Sequence, residues 1–140
     1  MKEKTHRFGV SMEKTLLAKL DALIARKGYS NRSEALRDLV RDKLVEQEWQ
    51  VGNKEVVATV TLIYNHGSLD LANKLTDLQH DNHQQILSTT HFHLDQHNCL
   101  ELLALKGPAG KIKEIAERLI ATKGVKHGKL VMTTTGKELT

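Results

Sequence analysis

Eight histidines and a single cysteine are the residues of this 140-residue chain best able to do chemistry. Seven of the histidines lie between residues 66 and 127, and His80, His83, His91, His93 and His97 fall within eighteen residues. Neutral imidazole and thiolate are ligands for transition metals of intermediate softness. His91 and His93 are two apart in a run, residues 86–94, that reads as a strand, so both rings project from one face. The next strand, residues 99–105, follows a polar turn of Asp95, Gln96, His97 and Asn98. Taking Leu100, Leu102 and Ala104 as its apolar face, and matching Leu100 to Phe92, sets Cys99 against His93 and Glu101 against His91. In that arrangement Phe92 and Leu94 point into the core, while Leu103 joins Cys99 and Glu101 on the opposite face. Two nitrogens and one sulfur then share a patch, and Glu101 is placed to accept a ring N–H from a ligating histidine.

His80, near the end of the preceding helix, is the natural fourth ligand, from the same chain or from a neighbouring subunit. Three imidazoles and a thiolate suit nickel, copper or zinc, not magnesium or calcium; square-planar geometry favours nickel or copper(II), tetrahedral geometry zinc. A lone strand histidine is ordinarily a surface residue and a lone cysteine a small core hydrophobe. Cys99 stands out because it breaks the apolar phase of its strand. His66, His83, His97 and His127 lack such support and read as surface or supporting groups. Four protein ligands leave no vacant position for a substrate in a four-coordinate site, so the chain is not expected to be an enzyme.

The elements that must position these groups change character near residue 50. Phe8, Val10 and Met12 alternate with Arg7, Gly9 and Ser11, which predicts a short strand. Leu16, Leu17, Leu20, Leu23 and Ile24 then give a helix with one apolar stripe, ended by Gly28. Asn31 with Glu34 predicts a capping box for a second helix striped by Ala35, Leu36, Leu39, Val40 and Leu44. One strand beside a half-exposed core requires the same strand of a second copy. Residues 49–54, Trp-Gln-Val-Gly-Asn-Lys, read as a linker between domains at 1–48 and 55–140. Beyond it, a strand at 56–64, a helix from about Asp70, strands at 86–94 and 99–105, a helix opened by Gly107-Pro108 and a strand at 129–135 give the order βαββαβ. The fold class is therefore α+β, a βαα domain followed by a ferredoxin-like one. Residues 81–84, Asp-Asn-His-Gln, have little intrinsic structure, and metal binding is expected to order the stretch from His80 to Phe92.

Composition bounds the setting. The net charge of +4 divides into +3 over residues 1–48 and +1 beyond, which permits an anionic partner such as nucleic acid without demanding one. Only 4% of residues are aromatic, so neither half is well supplied for a solitary core, and oligomerisation is expected. A lone cysteine argues for a reducing compartment, and neither a membrane-length apolar run nor a signal-peptide core is present. A cytoplasmic protein is the expectation.

Both halves, in this order, resemble the nickel-responsive regulator family NikR, a ribbon-helix-helix DNA-binding domain followed by an ACT-like regulatory domain. The resemblance is carried by residues 28–38 (Gly-Tyr-Ser-Asn-Arg-Ser-Glu-Ala-Leu-Arg-Asp), Gln79-His80, His91-Phe-His93, Cys99-Leu-Glu101, residues 105–107 (Leu-Lys-Gly) and residues 124–128 (Gly-Val-Lys-His-Gly). It covers nearly the whole chain. It implies a homotetramer, a dimer of dimers, with one nickel ion per subunit held by His91, His93 and Cys99 of one chain and His80 of a partner. Gln79 and Glu101 would support those ligands. The implied output is repression of nickel-uptake genes by binding palindromic double-stranded operator DNA. Arg7, Gly9 and Ser11 form the ribbon face that enters the major groove, with Asn31, Arg32 and Ser33 at a phosphate. Gly9 departs from the threonine-type residue expected there and offers no side-chain readout. Ser68 and Leu69 likewise stand where relatives can carry basic, DNA-touching residues. Lys2, Lys4 and His6 read as a basic arm. Glu34 and Asp38, i and i+4 on one helix face, would hold a cation such as potassium. The rival functions are a transition-metal carrier and a regulator sensing a small organic ligand without nickel specificity.

Overall fold

Val56, Ala58, Val60, Leu62 and Tyr64 are buried while their neighbours are half-exposed, the period-two signature of a strand with one covered face. This strand, β1 (Glu55–Asn65), is central to a four-stranded antiparallel sheet in a computed structural model that describes residues 3–139. Lys2, read as part of the basic arm, lies outside the described residues. The other elements are helices α1 (Lys14–Lys27), α2 (Arg32–Glu48), α3 (Leu69–Asp81) and α4 (Ala109–Ala121), and strands β2 (Ile86–His93), β3 (Asn98–Pro108) and β4 (Val125–Thr133). Sheet order β2-β3-β1-β4 with α3 and α4 as crossovers is the split βαβ arrangement that the element order implied. The last strand begins four residues earlier than the sequence pattern suggested, since Val125 already pairs with Tyr64.

The chain divides into two compact units, an N-terminal one ending at Leu44 and a second spanning Val45–Lys137. In the second, Ile112, Ile115, Ala116 and Leu119 of α4 and Leu71 and Leu75 of α3 close over one sheet face. Trp49, read as a linker residue, is instead in this core at 2% exposure, because its indole N–H finds the Thr133 carbonyl at 2.8 Å.

Which face of β3 is covered reverses the sequence expectation. Cys99, Glu101, Leu103 and Leu105 are the buried set, and Leu100, Leu102 and Ala104 lie on the opposite, helix-free face. Phe92 and Leu94 are 47% and 54% exposed in the single chain, not core residues. The reason is the pairing with β1: Leu103 sits opposite Val60 and Leu105 opposite Ala58, so β3 inherits the face that β1 turns to the helices.

The N-terminal unit buries little: Ile24 and Ala35 are its buried apolar residues among those described, while Leu16, Leu39, Val40 and Leu44 remain exposed. Gly28 ends α1 at φ 74°, with Tyr29 N–H donating to the Ile24 carbonyl, the left-handed cap that glycine accepts without strain. The strand expected at Arg7–Met12 is absent from the single chain; residues 3–13 are irregular. A strand is defined by its hydrogen-bonded neighbour, and this chain has none to offer there.

Candidate metal centre and nucleic-acid interface

The β2–β3 hairpin is closed by Asp95, whose carboxylate accepts the N–H groups of His97 (2.8 Å) and Asn98 (2.7 Å) and the Asn98 amide (3.0 Å). Those donors hold the Asp95 carboxyl well below its ordinary range, the Asn98 side chain contributing most. The turn sets the register, and the register matches the one derived from the sequence: His93 opposite Cys99, Phe92 opposite Leu100, His91 opposite Glu101. His91, His93, Cys99 and Glu101 therefore share one face, the helix-side face. They differ in depth because β3 is internal while β2 is an edge strand exposed along its length after Ile86. The sulfur and the carboxylate are buried; the two imidazoles are open to solvent.

Glu101, at 1% exposure, is the hub of the site. Tyr64 of β1 donates its hydroxyl proton to Oε2 at 2.5 Å, and Gln79 of α3 and Thr89 of β2 donate to Oε1 at 2.5 and 3.1 Å. A carboxylate this deep is tolerated only with its lone pairs satisfied. The His91 ring Nε2 stands 3.8 Å from Oε1, in electrostatic range but beyond hydrogen-bond length. Burial pushes the Cys99 thiol up, with the Glu101 charge adding to the shift and a Tyr64 hydrogen bond opposing it. Burial likewise raises Tyr64, reinforced by its bond to Glu101.

His80 lies on the exposed last turn of α3, and its carbonyl accepts the His83 Nδ1–H at 3.0 Å. Among the described residues, no three His, Cys, Asp or Glu side chains gather closely enough to hold a metal ion. One chain thus supplies the donor types on one face without assembling the four expected ligands. The stretch after His80 is held by its own hydrogen bonds: Asn82 is buried, donates its amide to the Leu78 carbonyl, and anchors Gln85 and Ile86 through its own carbonyl. His66, read from the sequence as a surface or supporting group, lies beside the site. Its ring lies 4.8 Å from that of His93, edge to face, and its Nε2 is a buried nitrogen with no partner. Only the pairing of Asn65 with Asn98, invisible in the sequence, brings it there.

On the N-terminal side, Arg7, Gly9 and Ser11 are exposed, as are Phe8 and Val10 beside them. Asn31 caps α2 by accepting the Glu34 N–H at 2.9 Å, but the returning arm of the box reaches Ser30 N–H at 3.2 Å instead of Asn31. Ser33 is exposed on the first turn. Arg32 makes a two-pronged ion pair to Asp21, both bonds 2.9 Å, which lowers the Asp21 pKa and raises that of Arg32. The carboxylates suggested for a second cation have protein partners: Glu34 takes the Ser30 N–H, and Asp38 takes the Arg41 guanidinium at 3.0 Å and the Tyr29 hydroxyl.

Two family models match the chain. Residues 57–133 match the NikR C terminal nickel binding domain, and residues 6–47 match the ribbon-helix-helix protein, copG family. A protein of Geotalea uraniireducens is 60% identical over 97% of this chain and 98% of its own length. One from Thermococcus onnurineus is 59% identical over 97% and 99%, and one from Pyrococcus furiosus 56% over 95% and 96%. All three are named, provisionally, as nickel-responsive regulators. The chain belongs to the NikR family. NikR proteins are regulatory DNA-binding proteins, not enzymes. An uncharacterized protein of Thermotoga maritima shares the fold at a TM-score of 0.51 and 17% identity, over 57% of this chain and 99% of its own. In this NikR chain no helix among the described residues is long and apolar enough to cross a membrane.

Proposed function

We propose that this NikR chain is a cytoplasmic, sequence-specific DNA-binding regulator that represses nickel-uptake genes when nickel is bound. The observation that carries the reading is the β2–β3 register, which places His93 against Cys99 and His91 against Glu101 inside the segment matching the nickel-binding family model. The residues fit the metal in kind: two imidazoles and a thiol on one face, beside a buried carboxylate able to orient a ring. In this reading one nickel ion per subunit is held by His91, His93 and Cys99 of one chain with His80 of the partner subunit. Bound there, the ion would supply a divalent centre shared between chains. Glu101 and Gln79 hold the ligand-bearing elements, since Gln79 precedes His80 and donates to the carboxylate beside His91.

Two uncovered apolar surfaces support a homotetramer built as a dimer of dimers. One is the N-terminal set of Phe8, Val10, Leu39, Val40 and Leu44; the other is the helix-free sheet face with Phe92, Leu100 and Leu102. A patch that pairs with its own copy does so about a two-fold axis, and two such contacts on one chain close a tetramer when the axes cross at right angles. Pairing of residues 7–12 between copies forms the ribbon, with Arg7, Gly9 and Ser11 facing base edges of a palindromic operator and Asn31, Arg32 and Ser33 near a phosphate. Arg32 keeps one guanidinium nitrogen, Nη1, outside its Asp21 pair for that purpose.

The test is a nickel titration of the full chain with and without duplex DNA selected from random sequence by the nickel-loaded protein. Linkage requires tighter nickel binding with DNA present, by the same factor that nickel tightens DNA binding. A thiolate-to-nickel charge-transfer band present in the wild type and absent from Cys99→Ala supports the ligand set. No band, together with DNA binding indifferent to nickel, sinks the reading.

A further inference from the structure

The segment between the last turn of α2 and β1 is fastened at both its ends. The second compact unit begins at Val45, so it includes the final turn of α2. Trp49 extends that turn, its N–H donating to the Val45 carbonyl, and its ring is buried among the core residues of the sheet. The indole N–H donates to the Thr133 carbonyl at the end of β4, and the Trp49 carbonyl accepts Lys113 Nζ of α4 at 2.9 Å. The following residues close on themselves through Gln50 N–H to Gln47, Val51 N–H to Glu48 and Lys54 N–H to Val51. They then cap α4: the Lys54 and Gly52 carbonyls accept the N–H groups of Ala109 and Gly110, both at 2.9 Å. Those N–H groups belong to a helix start that has no side-chain cap of its own. Glycine at 110 permits the approach, since a Cβ there would stand 3.3 Å from the Gly52 carbonyl oxygen.

A tether meant only to connect two domains leaves its backbone groups to water. Here they are spent on the regulatory unit. We propose that Trp49 is a positioning residue of the nickel response, a latch that locks the end of α2 to β4 and α4. Rearrangement of the regulatory unit is then carried into the DNA-binding helix instead of being absorbed by a slack joint. The inference rests on the nickel-dependent DNA binding proposed above, but the stiffness of the joint is measurable without nickel or DNA.

The experiment uses the whole 140-residue chain in three forms: wild type, Trp49→Phe, which keeps an aromatic ring and loses the N–H, and Lys113→Met, which keeps the stem and loses the donor. Hydrogen exchange on the metal-free wild type is expected to show residues 45–54 protected to the level of β4. Exchange as fast as in residues 3–13 overturns the latch whatever nickel does. Next, affinity for the selected duplex is measured with and without nickel. Both variants are expected to keep the wild-type nickel charge-transfer band and nickel-free DNA affinity, while the enhancement by nickel falls about fivefold or more. An unchanged enhancement in both, with the band intact, refutes the role of Trp49. Loss of nickel response in the wild type itself marks failure of the functional reading instead, and the exchange data then decide the latch alone.

Discussion

At the scale of single residues, Glu101 is the group whose neighbours constrain it most. Three donors converge on its carboxylate from β1, α3 and β2, so an isosteric change that turns one acceptor into a donor forces at least one of these bonds to be lost or reversed, by turning a hydroxyl from donor to acceptor or flipping the Gln79 amide. Glu101→Gln is therefore expected to cost about 1–3 kcal/mol in urea unfolding of the metal-free protein. A cost near zero would mean that the network is slack. Cys99 and Tyr64 give a pH prediction of defined sign. Both are held protonated by burial in the fold, whereas in the unfolded chain they ionise near their ordinary values of 9.0 and 10.0. Unfolding then releases protons at alkaline pH, so metal-free stability is fully present below pH 9 and falls as pH rises beyond it. Denaturant midpoints from pH 7 to 10.5 should show this decline, and the Cys99→Ala, Tyr64→Phe double variant should flatten it. The residue types that could bind a metal were legible in the sequence. The depth difference between buried Cys99 and exposed His91 was not, because it follows from which strand is internal.

Elements show where periodicity suffices and where it does not. All four helices and the four strands of the second unit lie where the apolar spacing places them, within a few residues. Alternation in β3 was equally clear, yet the covered face was misassigned, because both faces of that strand are apolar enough to be core. Leu100 and Leu102 outnumber the apolar atoms opposite them locally, and a buried Glu101 argues against its own face until its three donors are known. Gly128 carries a related lesson. It sits in β4 opposite Leu62, and an added Cβ would fall 2.6 Å from Ile120 Cγ1 and 3.1 Å from Leu62 Cδ2. Gly128→Ala should therefore destabilise the chain by about 1–3 kcal/mol through overpacking, although alanine is ordinarily harmless in a strand. A thermal midpoint within a degree of wild type would show that α4 moves freely off the sheet.

For the whole molecule, the decisive feature is how much apolar surface one chain leaves uncovered. Phe8 is 80% exposed, and the helix-free sheet face presents Phe92 and Leu94 to solvent. Patches of this kind mark association sites. A charge at Phe92 should break association through the sheet while sparing the monomer fold, whose core lies on the other face. Sedimentation of Phe92→Asp is expected to show a smaller assembly with unchanged far-ultraviolet circular dichroism; an unaltered assembly would place the interface elsewhere. Taken alone, the sequence determined the two N-terminal helices, the βαββαβ order of the second unit, the two-part plan and the pairing of His91 and His93 with Glu101 and Cys99. Those follow from local spacing and from a hairpin whose short turn leaves one register that keeps side chains on matched faces. Tertiary structure alone decided which sheet face the helices cover, that Trp49 is anchored core, and that His66 meets His93. Each of these depends on contacts between residues distant in the chain, and β1, lying between β3 and β4, is the strand that brings them together.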